Sequence, residues 1–135
     1  MATLLLIEDN VPLAQVMTHA LQRAGYDVMS ATTGRAGTDL LKVRAVDLVI
    51  TDIVMPEQDG IETVMWIREH QPHVRVIAIS GDSPQHARLY LTMTQKFGVV
   101  RTLLKPFRAE VLLGVVEEVL RERTPPSQER TGPAG

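Results

Sequence analysis

The sequence predicts an α/β fold, a three-layer, doubly wound (βα)5 sandwich with a five-stranded parallel sheet between two layers of helices. Three observations point to it. Five short apolar runs alternate along the chain with five stretches of helical periodicity, the pattern of strands linked by helical crossovers. The runs carry little polar alternation, as expected for strands covered on both faces. Gly25, Gly98 and the Pro56, Asp59 and Gly60 cluster punctuate the boundaries between these segments. Right-handed crossovers then leave few other topologies.

Leu4–Ile7 is the first strand. Asn10 offers a helix cap and Pro12 sits in the first turn, where a missing N–H costs little. Leu13, Val16, Met17, Ala20, Leu21 and Ala24 recur at helical spacing, and Gly25 ends that helix. Residues 26–30 form a short second strand. Thr33 caps a second helix bearing Ala36, Leu40, Leu41 and Val43. Residues 47–52 form a compact β-branched third strand, followed by a loop punctuated by Pro56, Asp59 and Gly60. Ile61, Val64, Met65 and Ile67 mark the third helix, and residues 74–79 the fourth strand. Ser83-Pro84 opens a fourth helix that ends before Gly98. Residues 99–104 are the fifth strand, and Val111, Leu112, Val115, Val116, Val119 and Leu120 form the apolar stripe of the fifth helix.

Composition narrows the function. The 135 residues are 44% hydrophobic and 22% charged, enough for one domain with a real core. A net charge of −2 gives no overall pull toward nucleic acid or anionic lipid. With no cysteine there is no disulfide framework, thiolate metal site or cysteine nucleophile. The apolar start lacks basic residues before it and meets acids after four residues, so it is neither a signal peptide nor a membrane span; a cytoplasmic protein is expected. Residues 124–135 hold three of the eight prolines and almost nothing apolar. They are expected to be a disordered tail or a truncated linker after a domain of residues 1–123.

The polar residues that end the strands carry the chemistry. Glu8 and Asp9 follow the first strand, Asp52 ends the third, Ser80 follows the fourth and Lys105 the fifth. In a parallel sheet all carboxyl ends lie on one rim, where ligands bind. Three carboxylates gathered there repel one another unless a cation joins them. Oxygen ligands alone suit magnesium. The pattern argues against zinc: there is no cysteine, and none of His19, His70, His73 and His86 lies at a strand end. A lysine beside such a site fits a ligand more negative than the protein groups, as a phosphoryl group is. Ser80 adds a hydroxyl able to donate to a phosphoryl oxygen.

In this setting the chain resembles the response-regulator receiver domain of bacterial two-component systems, the CheY-like family. The matching residues are Glu8-Asp9, Asp52, Met55-Pro56 with Asp59-Gly60, Ser80-Gly81 and Lys105-Pro106-Phe107, across roughly residues 3–122. Each piece alone is weak: Glu8-Asp9 reads equally as a solvated strand end, and Asp52 as a turn aspartate. Together and in order they are specific. The resemblance implies the flavodoxin-like strand order 2-1-3-4-5. It implies Asp52 as phosphoryl acceptor, with Mg2+ held by Glu8, Asp9, Asp52 and the Val54 backbone carbonyl. Ser80 would bind a phosphoryl oxygen and shift on activation, and Lys105 would pair with the acyl phosphate through a cis bond to Pro106. The implied donor is a sensor histidine kinase or a histidine phosphotransfer protein. The implied output surface is the face of the fourth helix, fifth strand and fifth helix, with neither nucleic acid nor membrane as a partner of this chain.

Two departures qualify the resemblance. Relatives carry an aromatic three residues before the lysine, where this chain has Thr102, so the switch at Ser80 and Thr102 lacks an aromatic rotamer; Tyr90 and Phe97 are substitutes in principle. The stretch from Ser80 to Lys105 is longer than usual by about three residues, roughly one helical turn. Val54 and Asp82 occupy positions that tune phosphoryl lifetime in relatives. Val54 has no group to orient water, which predicts slow self-dephosphorylation. The alternative is a pseudo-receiver, an interaction module that carries no phosphate, but such modules usually lose pocket residues present here. An aspartyl-phosphate enzyme would want a second acid where Val54 stands, so enzyme turnover of external substrates is not expected. A flavin-binding analogue would want a hydroxyl- and glycine-rich loop in place of Glu8-Asp9.

Overall fold

The computed structural model describes residues 2–53, 60–81, 88, 92 and 96–122. Their order is β1 (Thr3–Ile7), α1 (Val11–Arg23), β2 (Asp27–Ala31), α2 (Gly34–Val43), β3 (Leu48–Asp52), α3 (Gly60–His70), β4 (Arg75–Ser80), β5 (Arg101–Leu104) and α4 (Ala109–Arg121). The last is the fifth helix of the sequence pattern. Of the fourth, Arg88, Thr92, Lys96 and Phe97 are helical. Its opening at Ser83-Pro84, Tyr90 and His86 lie outside the described residues, as do Val54, Met55, Pro56, Asp59, Asp82 and the tail.

All five strands pair in parallel in the order β2-β1-β3-β4-β5. The caps fall where the sequence puts them. Asn10 Oδ1 accepts from the Leu13 N–H at 3.0 Å and Thr33 Oγ1 from the Ala36 N–H at 3.0 Å. Each meets one of the orphan donors of a first helical turn. Strand limits shift by a residue or two. Tyr26 still donates to Leu21 O in the turn after α1, where Gly25 takes φ +100°, so β2 starts at Asp27. Val74 closes a turn onto Gln71 O, so β4 starts at Arg75. Val99 and Val100 are buried ahead of β5, which begins only at Arg101. Gly98, at φ +66°, follows the fourth helical stretch and supplies the left-handed residue of its cap.

The strand side chains divide by parity between two cores. Leu5, Ile7, Val49, Val76 and Ala78 pack with Leu41, Val64 and Ile67 on the α2/α3 side. Leu4, Leu6, Leu48, Ile50, Ile77, Ile79 and Leu103 pack with Met17, Leu21, Leu112 and Val116 on the α1/α4 side. Burying such side chains contributes about 1.5–3 kcal/mol each. Phe97 packs against the α2/α3-side core, and Trp66 does likewise while stacking on His70 at a centroid distance of 4.6 Å. Among the described residues no helix is long and apolar enough to cross a membrane.

Candidate functional site

Strand parity carries past the last apolar residue of each strand and builds the site. Leu4, Leu6 and Glu8 share the α1/α4 side, as do Leu48, Ile50 and Asp52, and Leu103 and Lys105. The Glu8 N–H donates to Ala31 O at 3.0 Å, one step past the end of β1, so the strand still directs this side chain. Three residues separated by 44 and 53 positions therefore aim at one point on the rim. The Lys105 ammonium donates to Asp52 Oδ2 at 2.7 Å and lies 2.9 Å from Glu8 Oε1. One oxygen from each of Glu8, Asp9 and Asp52 falls within 4.8 Å of the others. Asp52 and Glu8 are buried and Asp9 is exposed.

Local backbone contacts hold these groups. The Ile53 N–H donates to Ile79 O at 2.9 Å, and the Lys105 N–H to Ser80 O at 2.7 Å, tying the ends of β3 and β5 to β4. The first residue of α3 presses on the turn after Asp52. Gly60 donates to Ile53 O at 2.7 Å, and a Cβ there would lie 2.4 Å from both the Asp52 carbonyl oxygen and Ile53 Cα. Only glycine fits that approach. The Lys105–Pro106 bond is cis, in line with the resemblance.

The electrostatics follow from burial and the shared cation. Burial pushes the Glu8 carboxyl up to about 7, with the Asp52 charge adding to the rise; the Asn10 N–H, which donates to Glu8 Oε2 at 3.1 Å, and Lys105 oppose it. Burial alone would lower Lys105, but its hydrogen bond to Asp52 and its closeness to the carboxyls of Asp52 and Glu8 leave it raised. The lysine stays an ammonium, and it touches two of the three clustered carboxyl groups, those of Glu8 and Asp52.

The donor set fits a hard divalent cation. Glu8 Oε1 is buried and, despite the nearby ammonium, has no hydrogen-bond partner of acceptable geometry among the described residues. An anionic oxygen in that state is costly unless a cation completes its surroundings. The three carboxylates supply oxygen ligands only, which suits magnesium better than a nitrogen- or sulfur-seeking metal.

Ser80 ends β4 with the parity of Val76 and Ala78, the α2/α3 side of that strand, and as its last residue it stands at the same rim as Asp52, whose ladder partner is the adjacent Ile79. Ser80 is buried, and its hydroxyl donates to Gly81 O at 3.1 Å. It shares that side with Thr102 and Leu104, both exposed; Leu104 is its direct ladder partner and Thr102 pairs with Ala78. The rim thus holds a carboxylate and ammonium cluster, with the Ser80 hydroxyl at the end of the neighbouring strand and two exposed β5 side chains beside it. The Val54 carbonyl lies outside the described residues. Sequence reasoning missed the contact at Gly60, although a glycine eight residues after a site aspartate was the available signal. It also missed the exposure of Leu104, since the strands of a parallel sheet are expected to be covered on both faces.

A family model for the response regulator receiver domain matches residues 4–117. The chain is 30% identical over 130 residues to the response regulator receiver protein CpdR of Brucella abortus, covering 89% of this chain and 98% of that protein. It is 35% identical over 128 residues to the DNA-binding transcriptional regulator NtrC of Azospirillum brasilense, covering 93% of this chain and 26% of that one. It is 33% identical over 124 residues to the sensor kinase CckA of Brucella abortus, of which it spans 13%. The chain thus spans about a quarter or less of these two longer relatives. Among solved structures, the chemotaxis response regulator CheY4 of Vibrio cholerae superposes with a TM-score of 0.79 at 29% identity, covering 88% of this chain and 98% of that one.

Proposed function

Because this chain belongs to the response regulator receiver family, we propose that it is a phosphoacceptor switch of two-component signalling, with Asp52 as the acceptor. The observation that carries the reading is the ammonium of Lys105 bridging Asp52 and Glu8 at 2.7 and 2.9 Å, beside three carboxylates within 4.8 Å. Such a site favours added negative charge only when that charge comes as phosphoryl oxygens shared with a cation. CpdR, matched over nearly its whole length, supports a receiver role in this chain.

Glu8, Asp9, Asp52 and the Val54 carbonyl would hold Mg2+, which supplies positive charge to the carboxylates and to phosphoryl oxygens. The chain's own groups do the rest. An Asp52 oxygen attacks the phosphorus of a phosphohistidine; the new P–O bond forms as the P–N bond to the imidazole breaks. Lys105, already hydrogen-bonded to Asp52, neutralises charge on the transferring group. Ser80 leaves Gly81 O and donates to a phosphoryl oxygen. That rotation carries the change to Thr102, Leu104 and the face formed by the fourth helical stretch, β5 and α4. The donor is a sensor histidine kinase or a histidine phosphotransfer protein. The partner on the output face is a protein rather than nucleic acid or membrane, and the setting is cytoplasmic. Val54 leaves the acyl phosphate without a water-orienting group, so self-dephosphorylation is slow and no external substrate is turned over.

Acetyl phosphate with Mg2+, read by intact mass, tests the reading. Wild type gains about 80 Da, one phosphoryl unit, and Asp52→Ala gains none. Equal gain by both proteins, or by neither, overturns it. A pseudo-receiver gains nothing, and no observation favours it.

A further inference from the structure

The opposite rim of the sheet holds a second charged cluster that the phosphoacceptor site does not use. Arg75 opens β4 and Arg101 opens β5. Both reach the carboxyl end of α4. Arg75 Nη1 donates to Val119 O at 3.1 Å, and Nη2 donates to Glu122 O. Arg101 Nη2 lies 3.5 Å from Glu122 Oε2, and its Nε lies 3.9 Å from Glu118 Oε1. This helix ends without the left-handed glycine that usually satisfies its last carbonyls: Glu122 is extended at φ −69° and ψ 133°. Arg75 takes the place of that cap. Two guanidinium groups also suit the negative end of the helix dipole. Since Glu122 O lies beyond the helix, the same bonds hold the backbone one residue past its end.

The arginines stand at the far ends of the two strands that bear Ser80 and Lys105. β4 runs from Arg75 to Ser80 and β5 from Arg101 toward Lys105, with Ile77 opposite Arg101 and Ser80 opposite Leu104. The cluster also holds a surplus. Arg75 Nε and Glu122 Oε1 are both buried and have no hydrogen-bond partner among the described residues. An unused donor and an unused acceptor in one cluster allow a second pairing of the same groups, and unmet buried polar atoms press toward it.

We propose that Arg75 and Arg101 form a clasp that caps α4, and that a change at Ser80 and Lys105 shifts this clasp through β4 and β5. The clasp would thereby alter how firmly the end of α4 is held, up to residue 122. The coupling rests on the phosphoacceptor reading; the cap does not.

Hydrogen exchange on the full chain tests both, read on a peptide covering residues 116–122, with acetyl phosphate and Mg2+ as the probe. Arg75→Gln, before labelling, raises exchange at the last turn of α4 by about tenfold, the scale expected for losing a charge-assisted bond. Arg75→Lys keeps the charge without the two-pronged reach and gives a smaller rise. In wild type, labelling changes exchange in this peptide severalfold. In Arg75→Gln it does not, although intact mass shows the same gain at Asp52. Unlabelled variants with wild-type protection overturn the cap. Full labelling of wild type with unchanged exchange overturns the coupling alone. Failure of wild type to label at all overturns the phosphoacceptor reading and takes the coupling with it.

Discussion

Replacing Glu8 by Gln should make the metal-free protein more stable, and only above mildly acidic pH. Burial raises the Glu8 carboxyl from its ordinary 4.5 to about 7. Below 4.5 the folded and unfolded chains both hold this proton, and Glu8 costs nothing. Between 4.5 and 7 the unfolded chain gives it up first, so stability falls as pH rises. Above 7 both forms are ionised and the full cost is present. A rise from 4.5 to about 7, at roughly 1.4 kcal/mol for each pH unit, gives about 3–4 kcal/mol in full and about 3 kcal/mol at pH 8. The residue is fully buried, so solvent screens little of it. Urea unfolding in EDTA at pH 4.5, 6 and 8 should show E8Q and wild type converging at the acid end and E8Q ahead by about 3 kcal/mol at pH 8. Millimolar Mg2+ should then stabilise wild type more than E8Q, because the cation needs the anionic oxygen that the amide lacks. Parallel pH profiles for the two proteins would refute the claim that Glu8 is held at the rim as a strained, cation-seeking carboxylate.

Gly60→Ala should cost about 3 kcal/mol in urea unfolding, since its Cβ would meet the backbone of Asp52 and Ile53 at 2.4 Å, where no side chain can give way. Labelling by acetyl phosphate should slow as Asp52 is displaced; wild-type stability in this variant would contradict the close approach. Lys105→Met keeps the stem and removes the ammonium from both carboxylates, so the rate of Mg2+-dependent labelling should fall about a hundredfold; an unchanged rate in a mass-spectrometric time course would remove Lys105 from the reaction. Thr102→Ala, at an exposed position, should change stability by less than about 0.5 kcal/mol and leave labelling intact. A large loss of labelling there would mean that Thr102 contacts the site.

The fold and most of the site can be read in advance for a common reason. A parallel strand with both faces buried keeps a period of two, and that period does not stop at its last apolar residue. Leu4 and Leu6 announce the side on which Glu8 emerges, Leu48 and Ile50 that of Asp52, and Leu103 that of Lys105, while Ser80 falls on the other side with Thr102 and Leu104. Features set by distance along the chain rather than by period stay hidden. Nothing local distinguishes buried Glu8 from exposed Asp9; the hydrogen bond to Ala31 O, made by a strand 23 residues away, keeps Glu8 in register. The strand limits at Tyr26 and Val74 depend on turn hydrogen bonds that compete with the ladder. The clasp is the extreme case: Arg75 meets a carbonyl 44 residues away, and an arginine opening a strand reads simply as a solvated end. Its logic appears once the sheet is assembled, because parallel strands that gather their carboxyl ends at one rim must gather their amino ends at the other. Residues that begin β4 and β5 are then neighbours for the same reason that Ser80 and Lys105 are.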